Sequence, residues 1–142
     1  MKKTAVIGAS GFIRRHLLRE VRCVYPDCVG TSFRRGASGL VPFDLIGGDI
    51  AGLKLKETGH EVVVITSAMP QVDTCEERPA DTYALNVEST LRASRVWVHQ
   101  GLKVVIYSSD YVFDGQCGNY EDGCAPNPIN EYGRQKAELE KM

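Results

Sequence analysis

The sequence lacks any Cys-x-x-Cys pair, and none of its three histidines, His16, His60 and His99, stands at zinc-ligand spacing from another or from a cysteine. A structural metal site is therefore not expected. The five cysteines, Cys23, Cys28, Cys75, Cys117 and Cys124, are odd in number and read as reduced thiols rather than a disulfide framework. No apolar run approaches the roughly 18 residues of a membrane span. Behind Met1-Lys2-Lys3 only Ala5-Val6-Ile7 precedes Gly8, too short for a signal h-region. A cytoplasmic location is the expectation. An excess of one charge is missing too, with 17 Lys and Arg against 18 Asp and Glu and a net charge of -1. Neither nucleic acid nor an anionic membrane is an expected partner of such a surface. What is present, 43% apolar and 25% charged residues, excludes disorder and fibrous designs. A length of 142 residues suits one domain, residues 1–142.

Thr4–Ile7 reads as a strand that stops at Gly8-Ala9-Ser10-Gly11, after which Phe12, Ile13, His16, Leu17 and Val21 recur at helical spacing. A second strand is predicted over 28–33 and a loop over 34–39. A weak helix follows over 49–58, then a buried strand over 61–66 around Val62-Val63-Val64-Ile65. Pro79 opens a long helix carrying Tyr83, Leu85, Val87, Leu91, Ser94, Val96 and Val98 as far as Gln100-Gly101. A strand over 103–108, a long loop over 115–128 and a final helix from Ile129 complete the reading. Strands alternating with helices predict an α/β fold built on a doubly wound parallel sheet. Ligands of such sheets sit beyond the carboxyl ends of the strands, where Gly8, Thr66 and Ser109 fall.

Small residues in a turn between strand and helix let a backbone approach a pyrophosphate, and the helix N-terminus supplies amide donors. Gly8, Ser10 and Gly11, with Phe12 and Ile13 behind them, form that turn. A tight turn without a ligand is the plainer alternative. The third glycine of the fingerprint is replaced by Arg14, which reads first as a helix-surface residue and second as a bidentate phosphate contact. The second strand ends on no acid for a ribose 2′-hydroxyl but is followed by Arg34 and Arg35. That leans the cofactor toward NADP(H), with NAD(H) the alternative. Asp44 reads as an acceptor for the adenine amino group or as a turn-capping aspartate.

Tyr132 and Lys136 stand four apart on a predicted helix and so share a face. A phenol is a poor acid at neutral pH unless a nearby ammonium stabilises its phenolate. Upstream, Tyr107-Ser108-Ser109-Asp110-Tyr111-Val112-Phe113-Asp114-Gly115 places hydroxyls after a buried strand. Together with 8–17, Asn86-Val87 and 132–136, this stretch resembles the dTDP-4-dehydrorhamnose reductase branch of the extended short-chain dehydrogenase/reductases. It is also similar to the related regulatory β subunit of methionine adenosyltransferase.

The resemblance implies a Rossmann-like NAD(P)-binding domain with the catalytic trio Ser109, Tyr132 and Lys136. Ser109 would polarise a substrate carbonyl, Tyr132 give the proton, and Lys136 tune the tyrosine while holding the nicotinamide ribose. Ser67 and Ala68 would line the cofactor and Asn86 would order the active-site backbone and a water near the lysine. The implied activity is reduction of a 4-keto nucleotide sugar with NADPH. A non-catalytic regulatory subunit and an inert remnant are the alternatives. The family continues past the tyrosine helix, so this chain is expected to lack C-terminal strands and the substrate lobe. Apolar faces left uncovered would favour a homo-oligomer.

Overall fold

The computed structural model describes residues 2–33 and 38–141, and only the backbone of Phe12 and Ile13. The chain divides into two compact units, Met1–Ser67 with Arg92–Tyr107, and Ala68–Leu91 with Ser108–Met142.

The first unit holds the sheet. β1 (Thr4–Ile7) pairs in parallel with β4 (Val62–Ile65), Thr4 opposite Val62 and Ile7 opposite Ile65. β4 pairs in parallel with β5 (Lys103–Ile106), Val62 opposite Lys103 and Ile65 opposite Ile106. On the other side of β1, the Val6 N–H donates to the Val29 carbonyl at 2.9 Å and Val6 bridges Gly30. β2 (Thr31–Ser32) follows and pairs in parallel with β3 (Val41–Pro42). The order is therefore 3-2-1-4-5, that of a Rossmann sheet, as the alternating pattern predicted. β1 is buried throughout, which explains the apolar run Ala5-Val6-Ile7 behind Thr4. α1 (Phe12–Val24) returns along the sheet and buries Leu18 and Val21 while Arg15, His16 and Arg19 stay exposed.

The second strand is shorter than predicted. A Cβ at Gly30 would stand 2.3 Å from Leu18 Cδ2 and 2.9 Å from Leu40 Cδ2, so this residue is a packing site rather than a repeating strand position. The weak helix over 49–58 reduces to a 3₁₀ turn, Ala51–Leu53, ended by Lys54 in the left-handed region at φ 49°. β3 has two exposed residues, too few for any hydrophobic period to show.

The long helix predicted from Pro79 is interrupted. α2 (Val72–Glu77) precedes it, and α3 (Pro79–Tyr83) runs through a π-helical segment, Ala84–Ser89, into α4 (Thr90–His99). The Leu85 carbonyl accepts from both the Ser89 hydroxyl at 2.7 Å and the Thr90 hydroxyl at 3.3 Å, which widens the turn. The wider turn shifts the buried face: Thr82, Asn86, Ser89, Thr90, Ala93 and Trp97 are inside, while Val98 is 58% exposed.

His60, 1% exposed, joins the sheet to the preceding turns. Its Nε2 accepts from the Val29 N–H at 3.2 Å, and its Nδ1 lies 2.9 Å from Thr58 Oγ1 and 3.2 Å from the Leu55 carbonyl. Burial holds its pKa below the ordinary histidine value. The unfolded chain therefore takes up the proton first as pH falls through about 6.5. His60 contributes stability that is fully present above that pH and is lost below it, at up to about 1.4 kcal/mol per pH unit. Urea unfolding at pH 7 and pH 5 is expected to show this loss, and His60→Gln to flatten it.

Candidate functional site

In the first unit the functional element is the turn between β1 and α1. Gly8 has φ +85°, a conformation that favours glycine, and its N–H donates to Thr31 Oγ1 at 3.0 Å. A Cβ there would meet Ser67 Oγ at 2.3 Å, so β1 and the residue after Thr66 approach through the missing side chain. Thr66 Oγ1 donates to the Ile7 carbonyl at 2.7 Å and fixes the same strand end. Gly11 is the N-cap of α1, extended at φ -77° and ψ 168°, and the first helical bond runs from the Arg15 N–H to its carbonyl at 3.0 Å. The amides of a helix's first turn have no carbonyl of their own helix to donate to. Ser10 is exposed. These residues fit a dinucleotide pyrophosphate, because both glycines admit close backbone approach and the helix end offers donors.

The side chains of Phe12 and Ile13, and Arg34 and Arg35 altogether, lie outside the described residues. The Asp44 carboxylate accepts from the Ile46 N–H at 2.9 Å, the bond of a turn-capping aspartate.

The second unit assembles Ser109, Tyr132, Lys136 and Asn86. α5 (Glu131–Glu140) begins where Asn130 Oδ1 accepts from the Gly133 N–H at 2.8 Å. Its buried face carries Tyr132, Gly133, Gln135, Lys136 and Ala137, with Tyr132 7% and Lys136 5% exposed. Lys136 Nζ stands 5.8 Å from the Tyr132 ring centroid. A Cβ at Gly133 would fall 2.1 Å from the Tyr111 carbonyl oxygen, so α5 sits directly on the 3₁₀ turn Asp110–Val112. Ser109 caps that turn, its Oγ accepting from the Tyr111 N–H at 3.3 Å and donating to Asp110 Oδ1 at 3.1 Å. The Tyr111 ring meets the Tyr132 ring edge-on at 6.0 Å.

Asn86 sits in the π-helical segment. Its Oδ1 accepts from the Met69 N–H at 2.8 Å, and its Nδ2 donates to the Met69 carbonyl at 3.1 Å and to Gln135 Oε1 at 2.8 Å. Gln135 Nε2 donates in turn to Thr82 Oγ1 at 3.0 Å and Glu131 Oε1 at 3.2 Å. A buried polar network so fully satisfied locks α5 in one rotation. Sequence reasoning missed Gly133 and Gln135, whose roles depend on long-range partners. Asn130 had a signal, a helix-capping residue three positions before a helical amide.

The loop after Ser109 is organised around Asp114. Its Oδ1 accepts from the Tyr120 hydroxyl at 2.5 Å and the Gln116 N–H at 3.0 Å, and its Oδ2 from Asn127 Nδ2 at 2.8 Å. These donors, Tyr120 foremost, hold the Asp114 carboxyl below the usual range, and the same bond pushes the Tyr120 phenol up. Phe113 stacks on Tyr120 at 4.4 Å. Beside this loop is a cavity of about 750 Å³ lined by Ser108, Ser109, Asp110, Phe113, Asp122 and Glu140 among others, a size that suits a small ligand.

The family model described as the RmlD substrate binding domain matches residues 2–142. The chain belongs to that family. Among curated relatives, a probable low-salt glycan biosynthesis reductase of Haloferax volcanii is 39% identical, over 92% of this chain and 45% of its own length. Methionine adenosyltransferase 2 subunit beta of Bos taurus is 29% identical, over 99% of this chain and 42% of that protein. The chain thus spans less than half the length of these relatives. Solved structures agree in fold. A hypothetical dTDP-4-dehydrorhamnose reductase from Sulfolobus tokodaii is 31% identical with a TM-score of 0.81, covering 98% of this chain and 50% of that one. MoeE5 in complex with UDP-glucose and NAD is 28% identical with a TM-score of 0.86, covering 98% and 47%. Among the described residues no helix is long and apolar enough to cross a membrane, and no group of three or more His, Cys, Asp or Glu side chains is placed to hold a metal.

Proposed function

We propose that this RmlD-family chain binds a nicotinamide dinucleotide at Gly8 and Gly11 and reduces a 4-keto nucleotide sugar, with NADPH as the preferred donor. The observation that carries the reading is the placement of Tyr132 and Lys136 together on the buried face of α5, against the turn that Ser109 caps. The bound dinucleotide supplies the reducing equivalent. Ser109 donates a hydrogen bond to the substrate carbonyl oxygen and Tyr132 gives that oxygen its proton. Lys136 keeps a positive charge beside the phenol, which stabilises the phenolate left behind. The relatives named as reductases, and the UDP-glucose and NAD bound by MoeE5, support the substrate and cofactor classes.

The test mixes the chain with NADPH and a dTDP-4-keto-6-deoxy sugar and follows the nicotinamide absorbance, which is expected to fall with substrate-dependent kinetics. A constant absorbance, with no NADPH binding by calorimetry, would sink the proposal. The likeness to methionine adenosyltransferase 2 subunit beta along 99% of the chain favours a second reading, a dinucleotide-binding regulatory subunit. Stoichiometric NADPH binding without turnover, together with complex formation with a methionine adenosyltransferase, would select it.

A further inference from the structure

Gln135 is 1% exposed on the same face of α5 as Tyr132 and Lys136, three residues after the first and one before the second. A carboxamide in such a place costs stability unless its donors and acceptors are met. Here they are met in one sense only. The Met69 N–H can only donate, so the Asn86 oxygen must face it, at 2.8 Å, and the Asn86 nitrogen is turned toward Gln135. That nitrogen obliges Gln135 to present Oε1, at 2.8 Å, and so to aim Nε2 at Thr82 Oγ1 and the Glu131 carboxylate. A carboxylate only accepts, so the chain of bonds is consistent from either end. Turning over either amide would set donor against donor at one end and acceptor against acceptor at the other.

Two other contacts hold α5 differently. Gly133 fixes how close the helix comes to the Tyr111 carbonyl but has no side chain to stop it rolling. The Tyr83 hydroxyl donates to Glu138 Oε1 at 2.6 Å, between side chains that are both partly exposed. A roll of about 10° moves an oxygen roughly 9 Å from a helix axis by about 1.5 Å. A misplacement of about 1 Å can cost on the order of a hundredfold in rate.

We infer that Gln135 is a positioning residue for Tyr132: tied to α3 through Thr82 and to the π-helical segment through Asn86, it sets the rotation of α5 and with it the point at which the phenol is presented. The role rests on the reductive reading of Tyr132 given above, and adds to the trio a residue that acts through the helix rather than on the substrate.

Gln135→Met tests it, because methionine keeps the length of the side chain and loses its hydrogen bonds. With NADPH and a dTDP-4-keto-6-deoxy sugar, kcat is expected to fall by about tenfold to a hundredfold, while KM and the calorimetric NADPH affinity stay within about threefold of wild type. Thr82→Val removes one of the two acceptors of Nε2 with little change of shape. It is expected to give a smaller loss of kcat, and it carries the test if circular dichroism shows the methionine variant unfolded. A readout free of turnover is the ζ-carbon resonance of Tyr132 in chain labelled with carbon-13 tyrosine, recognised among the six tyrosines by its loss in Tyr132→Phe. It is expected to move in both variants, farther in Gln135→Met. Folded variants that keep kcat within about threefold of wild type, or whose loss falls on KM or NADPH affinity instead, would overturn the inference and leave Gln135 a structural residue. A wild-type chain without turnover would sink the reductive reading by itself. The resonance then decides the placement alone, and a Tyr132 signal unmoved in Gln135→Met would overturn that too.

Discussion

Tyr132→Phe is expected to lower turnover of a 4-keto nucleotide sugar by about 10²–10⁴-fold, the range over which a positioned proton donor acts. The change deletes one hydroxyl and leaves the ring, whose edge-on contact with Tyr111 and burial on α5 need no oxygen. NADPH affinity is therefore expected to change far less than turnover, and the loss is expected in kcat rather than KM. Steady-state kinetics beside a calorimetric titration separate these quantities. A loss of less than about threefold would mean that the proton comes from elsewhere and that Tyr132 serves packing alone.

Gly133→Ala sets two effects of opposite sign against each other. In an exposed helix interior, alanine is favoured over glycine by about 1 kcal/mol. At this position the added Cβ would stand 2.1 Å from the Tyr111 carbonyl oxygen and 2.9 Å from both the Tyr111 carbonyl carbon and Pro128 Cβ. Two of those atoms are backbone and cannot swing aside, so the turn Asp110–Val112 or the helix itself must shift, at a cost of about 3 kcal/mol or more. The clash outweighs the propensity. Urea unfolding is expected to move to a lower midpoint, and activity to fall with it as the Ser109 turn is pushed from Tyr132. A raised midpoint would show that α5 and the turn are not in contact as described.

Fold class was legible because four-residue apolar runs such as Val62–Ile65 are buried at three of four positions and so leave no polar alternation. The glycine turn was legible because strand, glycines and helix follow one another without a gap, and the Tyr132 and Lys136 pair because a spacing of four is itself a geometric statement. The π-helical segment was not legible. Its cause is two hydroxyls, Ser89 and Thr90, converging on one carbonyl, and neither residue departs from an ordinary helical composition. The Asn86 and Gln135 pair spans 49 positions, and no local pattern connects them.

The turn after β1 takes its shape from bonds that involve no ligand: Gly8 to Thr31, the Ala9 N–H to the Thr31 carbonyl at 2.6 Å, and Thr66 to Ile7. Most of the conformational entropy lost in ordering such a loop has then already been spent during folding. A ligand arriving there meets a preorganised surface, so association should proceed at the rate of diffusional docking without waiting for a loop to close, and a greater share of its contact energy should remain as affinity.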